Sequence, residues 1–103
     1  MQLLVTCTAQ EPMVTVEGKE GGQNREPLRK KAFFFRNDQN EFYAEALGGM
    51  AERLEANPLL ANTLYQVDVT ISLSSWESER THERVFKNQI RLNKISKVNF
   101  EGV

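Results

Sequence analysis

The chain of 103 residues contains one cysteine, one histidine and one tryptophan. Cys7 alone forms neither an intrachain disulfide nor a cysteine-based zinc site, and in an apolar-leaning strand it reads as a small buried hydrophobe rather than a nucleophile. His82, flanked by Glu79, Arg80, Thr81, Glu83 and Arg84, has no second histidine with which to share a metal and reads as a solvated loop residue. No glycine-rich phosphate loop, serine-elbow motif or Cys–His pairing is present. The expectation is a protein that is not an enzyme and carries no metal or cofactor. No run approaches the ~20 apolar residues of a membrane-spanning helix, and no basic segment at the N-terminus leads into a long apolar stretch and a small-residue cleavage site. A cytoplasmic protein with no membrane and no small-molecule substrate among its partners is expected.

An excess of one charge is also missing. Thirteen Lys and Arg against fourteen Asp and Glu leave a net charge of −1, and a pI of about 5.9 argues on average against a nucleic-acid binder. The distribution argues the other way. From Arg25 to Arg36 the chain carries Arg25, Arg29, Lys30, Lys31 and Arg36 against Glu26 alone, and from Arg80 to Lys97 it carries Arg80, Arg84, Lys87, Arg91, Lys94 and Lys97 against Glu83. Acid collects at Glu11, Glu17, Glu20, Glu41, Glu45, Glu52 and Glu55. If the two basic segments adjoin in the fold they form a positive lane on an otherwise neutral protein. If they do not, they are solubilising charges on exposed strands.

A hydrophobic fraction of 40% and a charged fraction of 26% are those of a soluble globular chain, and the length suits one domain over residues 1–103. Tyr65, Val67, Val69, Ile71 and Leu73 alternate with Gln66, Asp68, Thr70, Ser72 and Ser74, the pattern of a half-buried β-strand. Trp76 falls on the polar parity and is predicted to stand on the wet face. Upstream, a first strand spans Gln2 to Thr8, and Met13 to Glu17 continues extended after a turn at Gln10 to Pro12. A mobile loop covers about residues 18–30, with Gly18, Gly21, Gly22 and Pro27. Lys30 to Arg36 carries Phe33, Phe34 and Phe35 in succession, so at least one of the three must point away from the core. Asn37 to Asn40 turn the chain into Glu41 to Leu47, a hairpin. Met50 to Glu55 makes a short amphipathic helix after Gly48 and Gly49, stopped by Asn57 and Pro58, with Met50 and Leu54 as core plugs. The last strand runs from about Glu83 to Val98, with Phe86, Ile90 and Leu92 on one parity and Val85, Lys87, Gln89 and Arg91 on a basic outward one. A bulge near Asn93 to Ile95 returns Ile95 to the core.

This order predicts an all-β fold with one short helix. The expected architecture is an OB-fold, a five-stranded Greek-key barrel with the helix between strands three and four, in which the first strand passes between barrel halves near Gln10 to Pro12. An SH3-like barrel or a β-sandwich with a stray helix is the alternative.

The segment Glu41-Phe42-Tyr43-Ala44-Glu45-Ala46-Leu47-Gly48, followed by Met50-Ala51-Glu52-Arg53-Leu54, resembles the region of bacterial single-stranded DNA-binding proteins where an aromatic-led strand ends in a small residue and enters a short helix. Val67 to Leu73, Trp76, the tip from Glu77 to Arg84, and Val85 and Phe86 are similar to the strand, aromatic residue, polar tip and following strand of that family. The resemblance spans about residues 30–98 and is one of pattern rather than of a signature motif. Two features depart from it. The chain stops at Val103 without a long flexible linker and acidic tip, and its glycine-rich loop is long. Both look more like a small phage, plasmid or integrative-element version, or a primosomal protein of the same fold. The resemblance implies single-stranded DNA as partner and a role accessory to replication, recombination or transfer.

The residues support the same chemistry independently. A sequence-tolerant single-strand binder needs cations along the phosphates and flat π-faces for unpaired bases. The aromatic candidates are Trp76, Tyr43 and one or more of Phe33, Phe34 and Phe35, of which Phe33 and Phe35 are set in the site; the sequence leaves open which of the three faces outward. The cationic candidates are Arg29, Lys30, Lys31, Arg36, Arg80, Arg84, Lys87 and Arg91. RNA meets the same requirements, because stacking and phosphate contacts do not distinguish the sugar. The competing expectation is a protein-interaction or assembly module of the same fold, in which Trp76 covers an interface. With open sheet edges, either version is expected to form a homodimer or homotetramer.

Overall fold

The computed structural model describes residues 1–16, 19, 20, 23, 24 and 27–98. Among them run β1 (Gln2–Gln10), β2 (Val14–Val16), β3 (Lys19–Glu20), β4 (Gln23–Asn24), β5 (Leu28–Arg36), β6 (Glu41–Leu47), α1 (Gly49–Ala56), β7 (Leu64–Glu77) and β8 (Arg84–Lys97). Six strands form one sheet in the order β1-β7-β8-β6-β5-β2, and β1 pairs with β5 as well, so the sheet curls into a ring. The pairings are antiparallel except that of β6 with β8, which is parallel through Glu45 and Arg91. β3 and β4 pair separately. The mostly-β chain with one short helix is as expected. Of the loop expected over residues 18–30, Leu28, Arg29 and Lys30 belong instead to β5, paired with β2. Gly18, Gly21, Gly22, Arg25 and Glu26 lie outside the described residues. No helix among the described residues is long and apolar enough to cross a membrane.

The first strand changes neighbours earlier than its sequence suggests. Gln2 to Thr6 pair with β7 and Thr6 to Gln10 pair with β5, so the passage falls at Thr6, with a bulge between Cys7 and Ala9 that bends the strand. The interruption at Pro12 leaves the neighbour unchanged. Glu11 still donates its backbone N–H to the Ala32 carbonyl at 3.0 Å, and β2 resumes along the same β5. Proline removes a donor but need not redirect the chain.

Inside the ring stand Val5 and Cys7 from β1, Phe33 and Phe35 from β5, Ala44 and Ala46 from β6, Tyr65, Val67 and Val69 from β7, and Leu92 from β8. The two alanines leave room for Phe33 and Phe35, whose rings stack with centroids 5.7 Å apart. Small residues opposite large ones are how a narrow barrel fills its interior. Cys7 is buried, and burial pushes its thiol pKa up, as befits a core residue. Met50 and Leu54 of α1 pack on the same cluster. Beside the helix, Gln10 donates to the Leu59 carbonyl at 2.9 Å and accepts the Leu59 N–H at 3.2 Å, while the Tyr65 hydroxyl accepts the Leu60 N–H at 2.8 Å. The bulge expected near Asn93 is present: Asp68 pairs with Lys94 and Val69 with Leu92, so Asn93 is the extra residue and both Leu92 and Ile95 face the core.

Candidate nucleic-acid interface

Two surfaces carry the candidate residues: an arm made by the far half of the β7–β8 hairpin, and the outward face of β5 and β6. The arm begins where its neighbours stop. β1 accompanies β7 only to Asp68, and β6 meets β8 at Arg91, yet the hairpin continues to the pair Glu77–Arg84. The molecule is elongated, with a radius of gyration of 16.3 Å against about 13 Å for an ordinary domain of this length.

Directly opposed residues of an antiparallel pair share a face, so the arm has two distinct sides. One carries Trp76 with Val85, Ser74 with Lys87, Ser72 with Gln89 and Thr70 with Arg91. The other carries Ile71 with Ile90, Leu73 with Asn88, Ser75 with Phe86 and Glu77 with Arg84. Trp76 is 47% exposed. The opposite side corrects an expectation: Ile71, Leu73 and Phe86 share the parity of core residues but are 50%, 66% and 64% exposed, because no barrel lies beneath them. Arg84 sits on this apolar side and donates to Ser75 Oγ at 3.0 Å. Arg80 and His82 are exposed in the tip, closed by Ser78 N–H to the Glu83 carbonyl at 2.9 Å.

On β5 the phenylalanine triple divides in the opposite sense to the expectation. Phe33 and Phe35 are fully buried and present no ring face to a base. Phe34 is the outward member, and its ring meets Tyr43 of β6 edge-to-face with centroids 5.2 Å apart. Lys31 shares the parity of Phe33 and Phe35. Lys31 is itself buried, at 4% exposure, with its ammonium bonded to Glu55 of α1 at 2.6 Å and to the Glu11 carbonyl at 2.9 Å. It is an internal clamp, removed from any phosphate lane. The hydrogen bond from Lys31, and then that from Met13 N–H, holds the Glu55 carboxyl below its usual range.

The remaining cations of β5 are paired. Arg29 bonds Glu52, Lys30 lies 3.0 Å from Glu45, and Arg36 lies 3.5 Å from Glu41. Among the described residues no carboxylate pairs with Arg80, Arg84, Lys87, Arg91, Lys94 or Lys97. The ring also inserts β6 between β5 and β8, so the two basic segments do not merge into one lane. They meet at the arm's root, in a shallow recess where Lys30, Glu45 and Arg91 come together with Ser72 and Gln89. Near it, burial and then the charges of Glu45 and Glu11 push the Tyr43 phenol pKa up, so the ring stays neutral at physiological pH.

The sequence left open which of Phe33, Phe34 and Phe35 faces outward, and of the three it is Phe34. The usable signal is its register: it lies directly opposite Tyr43, and adjacent to it on both sides are the residues that fill the barrel. No protein-family model and no curated protein matches the chain. Among the described residues no group of His, Cys, Asp and Glu is placed to hold a metal ion.

Proposed function

We propose that the chain is an OB-fold module that binds single-stranded DNA without sequence preference, in a role accessory to replication, recombination or transfer. The ring order supports the fold: five long strands, the third and fifth parallel, and the helix between the third and fourth. In OB barrels the face of the second and third strands and the connection between the fourth and fifth bind oligonucleotides. Here the second and third long strands are β5 and β6, which present Phe34 and Tyr43, and the last connection is the arm, which presents Trp76. The observation that carries the reading is this coincidence of outward aromatic rings with two cations, Lys87 and Arg91, that no carboxylate pairs among the described residues and that lie on the same arm face as Trp76. The rings supply stacking platforms, and the cations follow the phosphates between them.

The lone tryptophan provides the test. Titration with unlabelled polythymidine should quench its fluorescence, and Trp76→Ala and Phe34→Ala should each weaken binding by ~1–3 kcal/mol while leaving the fold intact. Absence of quenching, together with an unchanged affinity in both variants, would sink the reading. A protein-interaction module is the second reading, favoured by one observation, the apolar side of the arm.

A further inference from the structure

We infer that the apolar side of the arm is a self-association site, where two copies of the chain pack Ile71, Leu73 and Phe86 against each other about a two-fold axis near Leu73. A two-stranded ribbon alone in water is marginal, and it gains stability when its apolar face is covered. Among the described residues Met1 still bonds β7 at Val69 and Ile90 of β8 still packs against the core, and beyond them the two strands pair only with each other. Charge selects the occupant. From the Ile71–Ile90 pair to the Ser75–Phe86 pair no residue is ionisable, and the one charged side chain shown to reach this stretch, Arg84 on Ser75 Oγ, stands directly opposite Glu77 at the tip end, so this side carries no net charge and an identical face meets it without repulsion. On the other side Lys87 and Arg91 would oppose their own copies. A two-fold contact is self-complementary by construction, and Asn88, beside Leu73, supplies an amide that bonds its own copy near the axis. The arm is about 25 Å long at the usual rise per residue. It therefore buries less than the ~800 Å² per partner of a standard interface, and the dimer is reversible in the micromolar to millimolar range. Both cationic faces remain outward. This inference rests on the fold and the arm's chemistry, not on nucleic-acid binding.

Sedimentation equilibrium over that concentration range tests it on the full chain. The mass of the wild type should climb from 11.8 kDa toward twice that value. Leu73→Asp, a change at an exposed site, should weaken association at least about tenfold with an unaltered circular dichroism spectrum, whereas Lys87→Ala should associate as the wild type does. Leu73→Cys should cross-link to a dimer under mild oxidation, while Ser72→Cys on the cationic side and the wild type, whose Cys7 is buried, should not. A wild-type mass fixed at 11.8 kDa up to millimolar chain, or a Leu73→Asp dimer as tight as the wild type's, would overturn the inference. Loss of polythymidine binding with this mass profile intact would uphold it and count against the nucleic-acid reading alone.

Discussion

Tyr65, Val67 and Val69 lie on the same side of β7 as Ile71 and Leu73, in one unbroken alternation, yet the first three are buried and the next two are exposed. Nothing local separates them: composition, β-branching and period continue across the boundary. What changes is the neighbourhood. β1 and the Met1 that precedes it flank β7 as far as Val69, while past that point only β8 pairs with it among the described residues. An alternating strand therefore reports which side its apolar residues share, not whether anything covers that side. The two basic segments teach the same lesson for charge. On β5 each of Arg29, Lys30, Lys31 and Arg36 finds a carboxylate from β6 or α1, whereas the cations of β8 along the arm find none among the described residues.

The contrast between barrel and arm can be broken most directly with two phenylalanines. Phe33→Ala should cost about 3–5 kcal/mol in chemical denaturation, as expected for a large side chain removed from a packed interior. Phe86→Ala should stay within about 0.5 kcal/mol in dilute, monomeric protein. A comparable loss at both positions would mean that the arm is folded against something rather than free.

The contrast between paired and unpaired cations is sharpened by salt. Polythymidine affinity should fall with ionic strength, with a log–log slope of about −0.7 per phosphate neutralised on a single strand. Lys87→Ala combined with Arg91→Ala should make that slope shallower by about 1.4. Lys30→Ala combined with Arg36→Ala should leave it nearly unchanged, because those side chains already hold Glu45 and Glu41. Equal effects of the two double variants would show that the β5 cations exchange their carboxylate partners for phosphates.

The smallest effect belongs to the barrel's internal clamp. The Glu55 carboxyl is held below its usual range in the folded protein, so its contribution to stability is fully present above the pKa it has in the unfolded chain and is lost as pH falls through the folded value. Melting temperatures of the wild type and Glu55→Gln should differ at neutral pH and converge in acid below the ordinary carboxylate range. A gap that persists into strong acid would assign the loss to packing instead of charge. Variants confined to the arm, such as Lys87→Ala, should track the wild type across the same range.

Much of this molecule can be read along the chain. The hairpin at Asn37 to Asn40 is written in its turn residues, with Asn37 Oδ1 accepting the N–H groups of Gln39 at 3.0 Å and Asn40 at 2.7 Å. The helix is bracketed by its glycines and by Asn57 and Pro58, and the Asn93 bulge is visible as a break in parity. The candidate interface was legible in part. Parity alone sets Trp76 opposite the buried residues of β7, but it left open which of Phe33, Phe34 and Phe35 faces outward, and Phe33, Phe35 and Lys31, expected at the interface, are buried, against the rule that a lysine on a strand marks the wet side. Only the arrival of Glu55 from α1 and of the Glu11 carbonyl beside Lys31 reverses that rule.

The sequence by itself determined the succession of the long strands along the chain, the position of the helix, the turns and which residues share a side, since each follows from steric and hydrogen-bonding preferences acting over a few neighbouring residues. Tertiary structure alone decided which sides are covered, where β1 changes neighbours, which cations are neutralised and how far the hairpin outruns the barrel. Those depend on pairings between residues far apart in the chain, such as Thr6 with both Leu64 and Arg36 or Lys31 with Glu55, and no local pattern encodes them.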